Sequence, residues 1–306
     1  MKELNNKNFE ISEEIRNALE TKSPIISLES SAITHGLPYP DSIETFTAMQ
    51  DIIRQNKIVP ALIGIFQGRI KIGFSQSEIE YLVESNPQKI NSGEIAWALN
   101  NQIYGGTTIS ATAFLSELIG IKFFVAGGVG GVHFGNHFDI SADLKELASN
   151  QIMVICSGVK TILSVTDTIE ILETLTIPVV GYQTNKLPGF IIRDTGIHLR
   201  NVAKDVESLV NQFKIHQNLD RPTAFIVVIP PPEENAISSH EFDLALKKAN
   251  QKANEKCISG SQLTPFLLKI INEEISGSMF SVIESLLINN VKLGCKIVNH
   301  YYQNNT

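Results

Sequence analysis

Three stretches of this chain, "IKFFVA", "QIMVICSG" and "AFIVVIPPPEE", are apolar on nearly every residue instead of alternating with polar ones. A strand of that kind has both faces covered, the condition of a parallel sheet held between two layers of helices. Between such runs the period changes to that of a helix. "PDSIETFTAMQDIIRQN" repeats Ile43, Phe46, Met49 and Ile53 at helical spacing, with Asp41 and Glu44 placed as a capping box. Ser75 with Glu78, Asp167 with Glu170 and Ser238 with Glu241 repeat that cap spacing, and Thr264–Pro265 reads as a cap followed by a first helical residue. "PALIGIFQGRIKIGFS" alternates around Gln67–Gly68 and predicts a hairpin, hence an antiparallel part of the sheet. The expectation is one α/β domain over 1–306, with a mostly parallel or mixed central sheet, helices on both faces, and residues 1–20 as an N-terminal helical extension.

The chain has 306 residues, enough for a well-buried core in one large domain, and no low-complexity linker divides it. A net charge of −7 without a basic run argues against a nucleic-acid polymer as partner. A small phosphorylated molecule is compatible with it, because a few local donors suffice. No apolar run reaches the roughly 18 residues of a membrane span, and the opening residues lack the apolar core of a secretory signal. Cys156, Cys257 and Cys295 are far apart with no metal spacing, which reads as reduced thiols in a cytoplasmic setting.

In folds of this class ligands sit beyond the carboxyl ends of the strands. Four polar clusters fall there: Glu29–Ser30–Ser31 with His35; Gly105 to Thr108; Gly127 to Asp143; and Ser157 to Lys160. The third, "GGVGGVHFGNHFDISAD", resembles a dinucleotide loop only in part, since His133 stands where a third glycine is required. "GVKT" at Gly158–Thr161 fails as a phosphate loop because a valine separates glycine from lysine. Asp139 and Asp143 admit two readings, helix capping or a hard divalent cation held by few carboxylates and several waters. His133 and His137 are further candidate ligands, or simple hydrogen-bond partners. Lys160 follows an apolar strand among Val159, Ile162 and Leu163, where an amine can act as a nucleophile instead of a solvated charge. Glu29 ends a buried strand, which suits a general acid or a structural carboxylate bonded to loop amides.

The segments "SLESSAITHGLPYP", "GGTTISAT", "AGGVGGVHFG", "FDISADLKELA", "VICSGVKTIL", "VVGYQT" and "LTPFLL" together resemble the pseudouridine-5′-phosphate glycosidase family, in order and spacing. The resemblance implies a homotrimer of α/β subunits and a metal-dependent lyase-like enzyme, with Mn²⁺ or another divalent cation such as Mg²⁺. Its reaction is reversible cleavage of the C–C bond of pseudouridine 5′-phosphate to uracil and ribose 5-phosphate. It implies that Lys160 forms an imine with C1′ of the opened sugar and that Glu29 moves the proton. Asp139 becomes the metal ligand, while Lys89, Ile109, Ser141, Ala142 and Asp143 contact substrate. His133, with Thr107 and Thr108 of the second cluster, completes the expected substrate shell.

The chain leaves the family pattern at several places. "KINSGEI" after Gln88 lacks two usual arginines, and Phe134 stands where an arginine is usual. Ile229 replaces an asparagine, Ser261 a lysine, and Val282 a last-helix asparagine that addresses the base. Two other readings follow: a C-glycosynthase joining ribose 5-phosphate to another aromatic or heterocyclic carbon, and a non-catalytic sugar-phosphate-binding homologue.

Overall fold

The computed structural model describes residues 7–135, 137–258, 263–275 and 277–303. The N-terminal segment is not purely helical: β1 (Phe9–Ile11) precedes α1 (Glu13–Glu20) and pairs in parallel with β4 (Arg69–Ile72). The chain continues through β2 (Ile25–Glu29), α2 (Asp41–Gln55) and β3 (Val59–Phe66), whose antiparallel hairpin with β4 turns at Gln67–Gly68 as expected. Then follow α3 (Gln76–Glu84), β5 (Gln88–Ile90), α4 (Ile95–Asn100), β6 (Gly105–Thr107), α5 (Ile109–Leu118) and β7 (Phe123–Val125). The second half holds α6 (Ala142–Leu147), β8 (Met153–Cys156), α7 (Val165–Thr174), β9 (Val179–Tyr182), β10 (Val202–Ala203), α8 (Val206–Asn218) and β11 (Phe225–Val228). Three helices close the chain: α9 (Ser239–Glu255), α10 (Leu263–Glu274) and α11 (Ser278–Gln303).

All eleven strands join one sheet, in the order β1-β4-β3-β2-β7-β8-β11-β9-β10, with β6 and then β5 branching from β3. Between the strands of the described residues, only the β3–β4 and β3–β6 pairings are antiparallel. The fully apolar strands therefore lie centrally, and successive residues supply opposite layers. Phe123 and Val125 face the core beneath α2, α8 and α11, whereas Phe124 joins Val154 and Ile226 beneath α5, α6 and α7. A third cluster packs Ile63 and Ile65 of β3 against Ile15 of α1 and Leu115 of α5.

The helix starts separate true caps from coincident spacing. Ser75 and Glu78 form both halves of a capping box, and Ser238 accepts the Glu241 amide at 3.2 Å. Asp41 is the first residue of α2 and caps nothing; Pro40 holds that position without a side-chain bond. The cap of α7 is Ser164, whose Oγ accepts the Asp167 amide, so Asp167 is the third residue of the helix and no Asp167–Glu170 box exists. α10 begins at Leu263, which puts Thr264 inside it instead of at its cap.

Candidate active site

Glu29 ends β2, Gly127 follows β7 and Ser157 follows β8, so three clusters come to the carboxyl edge of the parallel strands. β6 runs the other way, but it pairs with the far end of β3, and Thr107 thereby reaches Ser30 beside Glu29. The glycines of the third cluster permit close approach. A Cβ on Gly130 would lie 2.5 Å from Ser141 Oγ and 2.6 Å from Asp143 Oδ2. The Gly130 amide itself donates to Asp143 Oδ2 at 3.0 Å, and the Ser110 amide donates to Oδ1 at 2.9 Å. Ser141 caps α6 and accepts the Asp143 amide at 3.2 Å. Capping thus falls to Ser141, and the buried Asp143 clamps the glycine loop to the start of α5.

These elements enclose a cavity of about 310 Å³ lined on its polar side by Lys89, Thr108, His133, Asp139, Ser141, Asp143, Glu29 and Lys160, with Ile109 and Ala142 between them. Nearly every residue expected at the site is therefore present. The exception is Thr107, which is fully buried; its hydroxyl donates to the Ile63 carbonyl at 2.6 Å and its amide donates to Ser30 Oγ at 2.9 Å, so it braces β6 on β3. His137 also stays out: its Nδ1 lies 3.3 Å from Asp167 on an exposed turn. Phe134 is exposed and is not among the residues that line this cavity.

Lys160 and Glu29 belong together electrostatically. Desolvation pushes the Glu29 carboxyl above its ordinary range, opposed chiefly by the charge of Lys160 and by the Ser31 hydroxyl, which donates to Glu29 Oε2 at 2.8 Å. Lys89 is held below the usual lysine range, first by desolvation and then by Lys160. Cys156, behind them, is buried and its thiol is pushed up to about 12 by desolvation, which leaves it inert as a nucleophile. Among the described residues three buried side-chain polar atoms lack partners, and of these only His133 Nδ1 belongs to a cavity-lining residue. The Asp139 carboxylate, on the same wall, has no hydrogen-bond or ion-pair partner among the described residues.

A second, smaller cavity of about 90 Å³ shares Glu29, Ser31, Lys89 and Lys160 with the first and is otherwise lined by His35, Phe190, Leu268, Ile283 and Leu287 together with small residues. Phe190 and Ile283 were not singled out in the sequence, because an apolar residue in an apolar chain carries no local signal. Val282 is buried in the core and lines neither cavity; its neighbour Ile283 faces the chamber instead. Ile229 lines a separate cavity with Arg193 and Asn289. Ser261 lies outside the described residues. Asn290 was also missed. From α11 its Nδ2 donates to the Ala126 carbonyl at 2.9 Å and its Oδ1 accepts from Ser157 Oγ at 3.1 Å, tying the ends of β7 and β8 together.

Fold and site define a class: a mainly parallel α/β protein with a lysine and a raised carboxyl at the neck of a polar cavity. The family model described as indigoidine synthase A like protein matches residues 14–300. This chain belongs to that family. A protein of Staphylococcus aureus called pseudouridine-5′-phosphate glycosidase is 40% identical over 294 residues, covering 95% of this chain and 96% of its own. A Legionella pneumophila protein of the same name is 38% identical over 296 residues, covering 96% of each. Among solved structures, an indigoidine synthase A-like protein of Thermotoga maritima superposes with a TM-score of 0.85 at 36% identity, over 90% of this chain and 92% of that one. The prealnumycin C-glycosynthase AlnA, solved with ribulose 5-phosphate, superposes with a TM-score of 0.88 at 28% identity, over 97% and 99%.

Proposed function

We propose that this chain is a C-nucleoside 5′-phosphate glycosidase that reversibly cleaves pseudouridine 5′-phosphate to uracil and ribose 5-phosphate through an imine on Lys160. The observation that carries this reading is the placement of Lys160 beside a buried Glu29, whose pKa burial raises, at the junction of both cavities. The names of the relatives in Staphylococcus aureus and Legionella pneumophila support it. So does the sugar phosphate bound by AlnA, a C-glycosynthase, whose name fits the same chemistry run toward bond formation.

The residues supply the steps as follows. A C–C glycosidic bond has no leaving oxygen to protonate, so a two-carboxylate glycosidase scheme is unsuited to it. The Lys160 amine attacks C1′, and the ring oxygen leaves as the C4′ hydroxyl. Glu29 protonates the ring carbon of the base; the C1′–C bond then breaks toward the base as the lysine nitrogen pair forms C=N. Water hydrolyses the imine and returns Lys160. Lys89, Thr108, Ser141 and His133 line the polar cavity that would hold the sugar phosphate.

The chemistry of the donor set is compatible with a divalent cation, Mn²⁺ or Mg²⁺. Asp139 is a free carboxylate on the cavity wall, and no group of three or more His, Cys, Asp or Glu side chains that could hold a metal occurs among the described residues. That suits a hard ion keeping most of its waters. Bound there, it would supply positive charge toward the oxygens of the substrate. A cytoplasmic homotrimer is part of the same reading. Among the described residues no helix is long and apolar enough to cross a membrane.

Incubation with ribose 5-phosphate and Mn²⁺ followed by borohydride should leave a reduced sugar-phosphate adduct on Lys160, identified by peptide mass spectrometry. Lys160→Arg should show none. An unmodified Lys160 in the wild type would remove the imine and favour a protein that only binds the sugar phosphate.

A further inference from the structure

The chamber on the far side of Lys160 and Glu29 differs in kind from the sugar-phosphate cavity. Beyond the four residues that the two share, its side chains are almost all carbon: Phe190, Leu268, Ile283 and Leu287. The one ionisable group that it adds is His35. That imidazole is already hydrogen-bonded to the Thr34 hydroxyl at 2.7 Å and to the Pro87 backbone, and desolvation together with Lys89 holds its pKa below the usual value, so it stays neutral. Of the four shared residues, Glu29 and Lys160 are the reacting pair, Ser31 is already bonded to Glu29 and Lys89 also lines the sugar-phosphate cavity; beyond these and His35, no side chain of the described residues lining the chamber carries a polar atom.

Phe190 is placed with care. Its φ is 60°, a left-handed conformation that costs a non-glycine residue energy and persists only where the surroundings impose it. Its amide donates to the Ser157 carbonyl at 2.7 Å. Its ring lies against a glycine pair, where a Cβ on Gly128 would come within 2.9 Å of it and one on Gly127 within 3.1 Å. Strain, anchor and glycines together fix one aromatic face beside the reacting pair.

We infer that this chamber takes the ring carried on C1′ and selects it by shape against Phe190, Ile283 and Leu287, not by side-chain hydrogen bonds, so that single rings with different polar edges are accepted alike. The inference rests on the lysine-imine reading above. A site built to hydrogen-bond a polar edge rejects the analogue lacking it by about 10⁴–10⁵, whereas apolar fit discriminates by only about 10–200. The chamber is the smaller of the two cavities, about 90 Å³ against about 310 Å³, which favours one ring over a fused pair.

The synthetic direction tests this. There the ring's electron pair bonds to C1′, the C=N pair returns to the Lys160 nitrogen, the ring's proton passes to Glu29, and closure by the C4′ hydroxyl releases the amine. Ribose 5-phosphate is supplied with uracil, with resorcinol, which keeps two meta oxygens but lacks ring nitrogens, or with 1-naphthol. Product is read by mass spectrometry and KM taken for each acceptor. The expected result is KM values for uracil and resorcinol within about tenfold, and no product from 1-naphthol. Ile283→Asn should lower the KM of uracil relative to resorcinol by at least about tenfold, and Phe190→Ala should raise both. A wild-type preference for uracil of about 100-fold or more would overturn the inference. So would an unchanged ratio in Ile283→Asn, or absence of C–C product with every ring while the Lys160 adduct still forms. Loss of the adduct itself, measured with ribose 5-phosphate alone in each protein, would instead strike the lysine reading.

Discussion

Glu29 is a carboxylate in a place that resists charge. Its pKa lies above the ordinary 4.5 because burial outweighs the help of Lys160 and Ser31. In the proposed role of proton donor it would act in the protonated form, so the cleavage rate should fall as pH rises through the raised pKa, and Glu29→Gln should lose about 10²–10⁴-fold in kcat. The same shift fixes a stability trend. A carboxyl with a raised folded pKa contributes stability that is fully present below about 4.5 and is lost as pH rises through the folded value. Glu29→Gln removes that dependence. Thermal melts from about pH 4.5 upward should therefore show the wild type losing ground against the variant until pH passes the folded value. Parallel pH profiles for the two proteins would mean that Glu29 is not desolvated as placed. Lys89 shows the complementary effect of the same setting, a lysine discouraged from charge by desolvation and by Lys160.

At the scale of elements, α11 joins chemistry to scaffold. The buried Asn290 bonds both to the Ala126 carbonyl after β7 and to the Ser157 hydroxyl after β8. Removing it leaves two buried polar groups unmatched. Asn290→Ala should cost about 2–4 kcal/mol in chemical denaturation and slow imine formation, since Ser157 opens the loop that carries Lys160. Slow imine formation without a stability loss would assign Asn290 to chemistry alone. This helix also marks a limit of reading a sequence. The family pattern pointed to Val282, yet each residue turns a helix by about 100°, so a slip of one sends a side chain to another face. Val282 goes to the core, while Ile283 and Leu287, four apart, face the chamber. The strand-end residues Glu29 and Lys160 were legible because a polar group at the end of a wholly apolar run is conspicuous. Asn290 and Phe190 were not, because their roles exist only once distant segments meet. Coincident cap spacing misled for a related reason: Asp41 and Asp167 have the right intervals, but where a helix begins depends on the loop before it.

For the molecule as a whole, the alternation of buried runs and helices was enough to define a mainly parallel sheet with two helical layers, whereas β1, β5, β6 and β10, of two or three residues each, are too short to display a period. The edge formed by β1 illustrates what such short pieces do. It covers β4 and puts Glu10 on the nearly buried Lys71, which Glu78 holds from the other side at 2.6 Å. Along the sheet, β4 and β3 stand between that edge and β2, the first strand to carry a residue of the proposed reacting pair. Stability and chemistry should therefore separate there. Ile15, fully buried where α1 packs on β3, is the site at which to separate them. Ile15→Ala should lower stability by about 2–5 kcal/mol. Well below the reduced Tm, borohydride trapping with ribose 5-phosphate should label Lys160 as fast and as completely as in the wild type. A trapping rate that falls in step with stability would show that the N-terminal layer helps to hold the strand ends of the proposed site, with strain passing from β3 to β2.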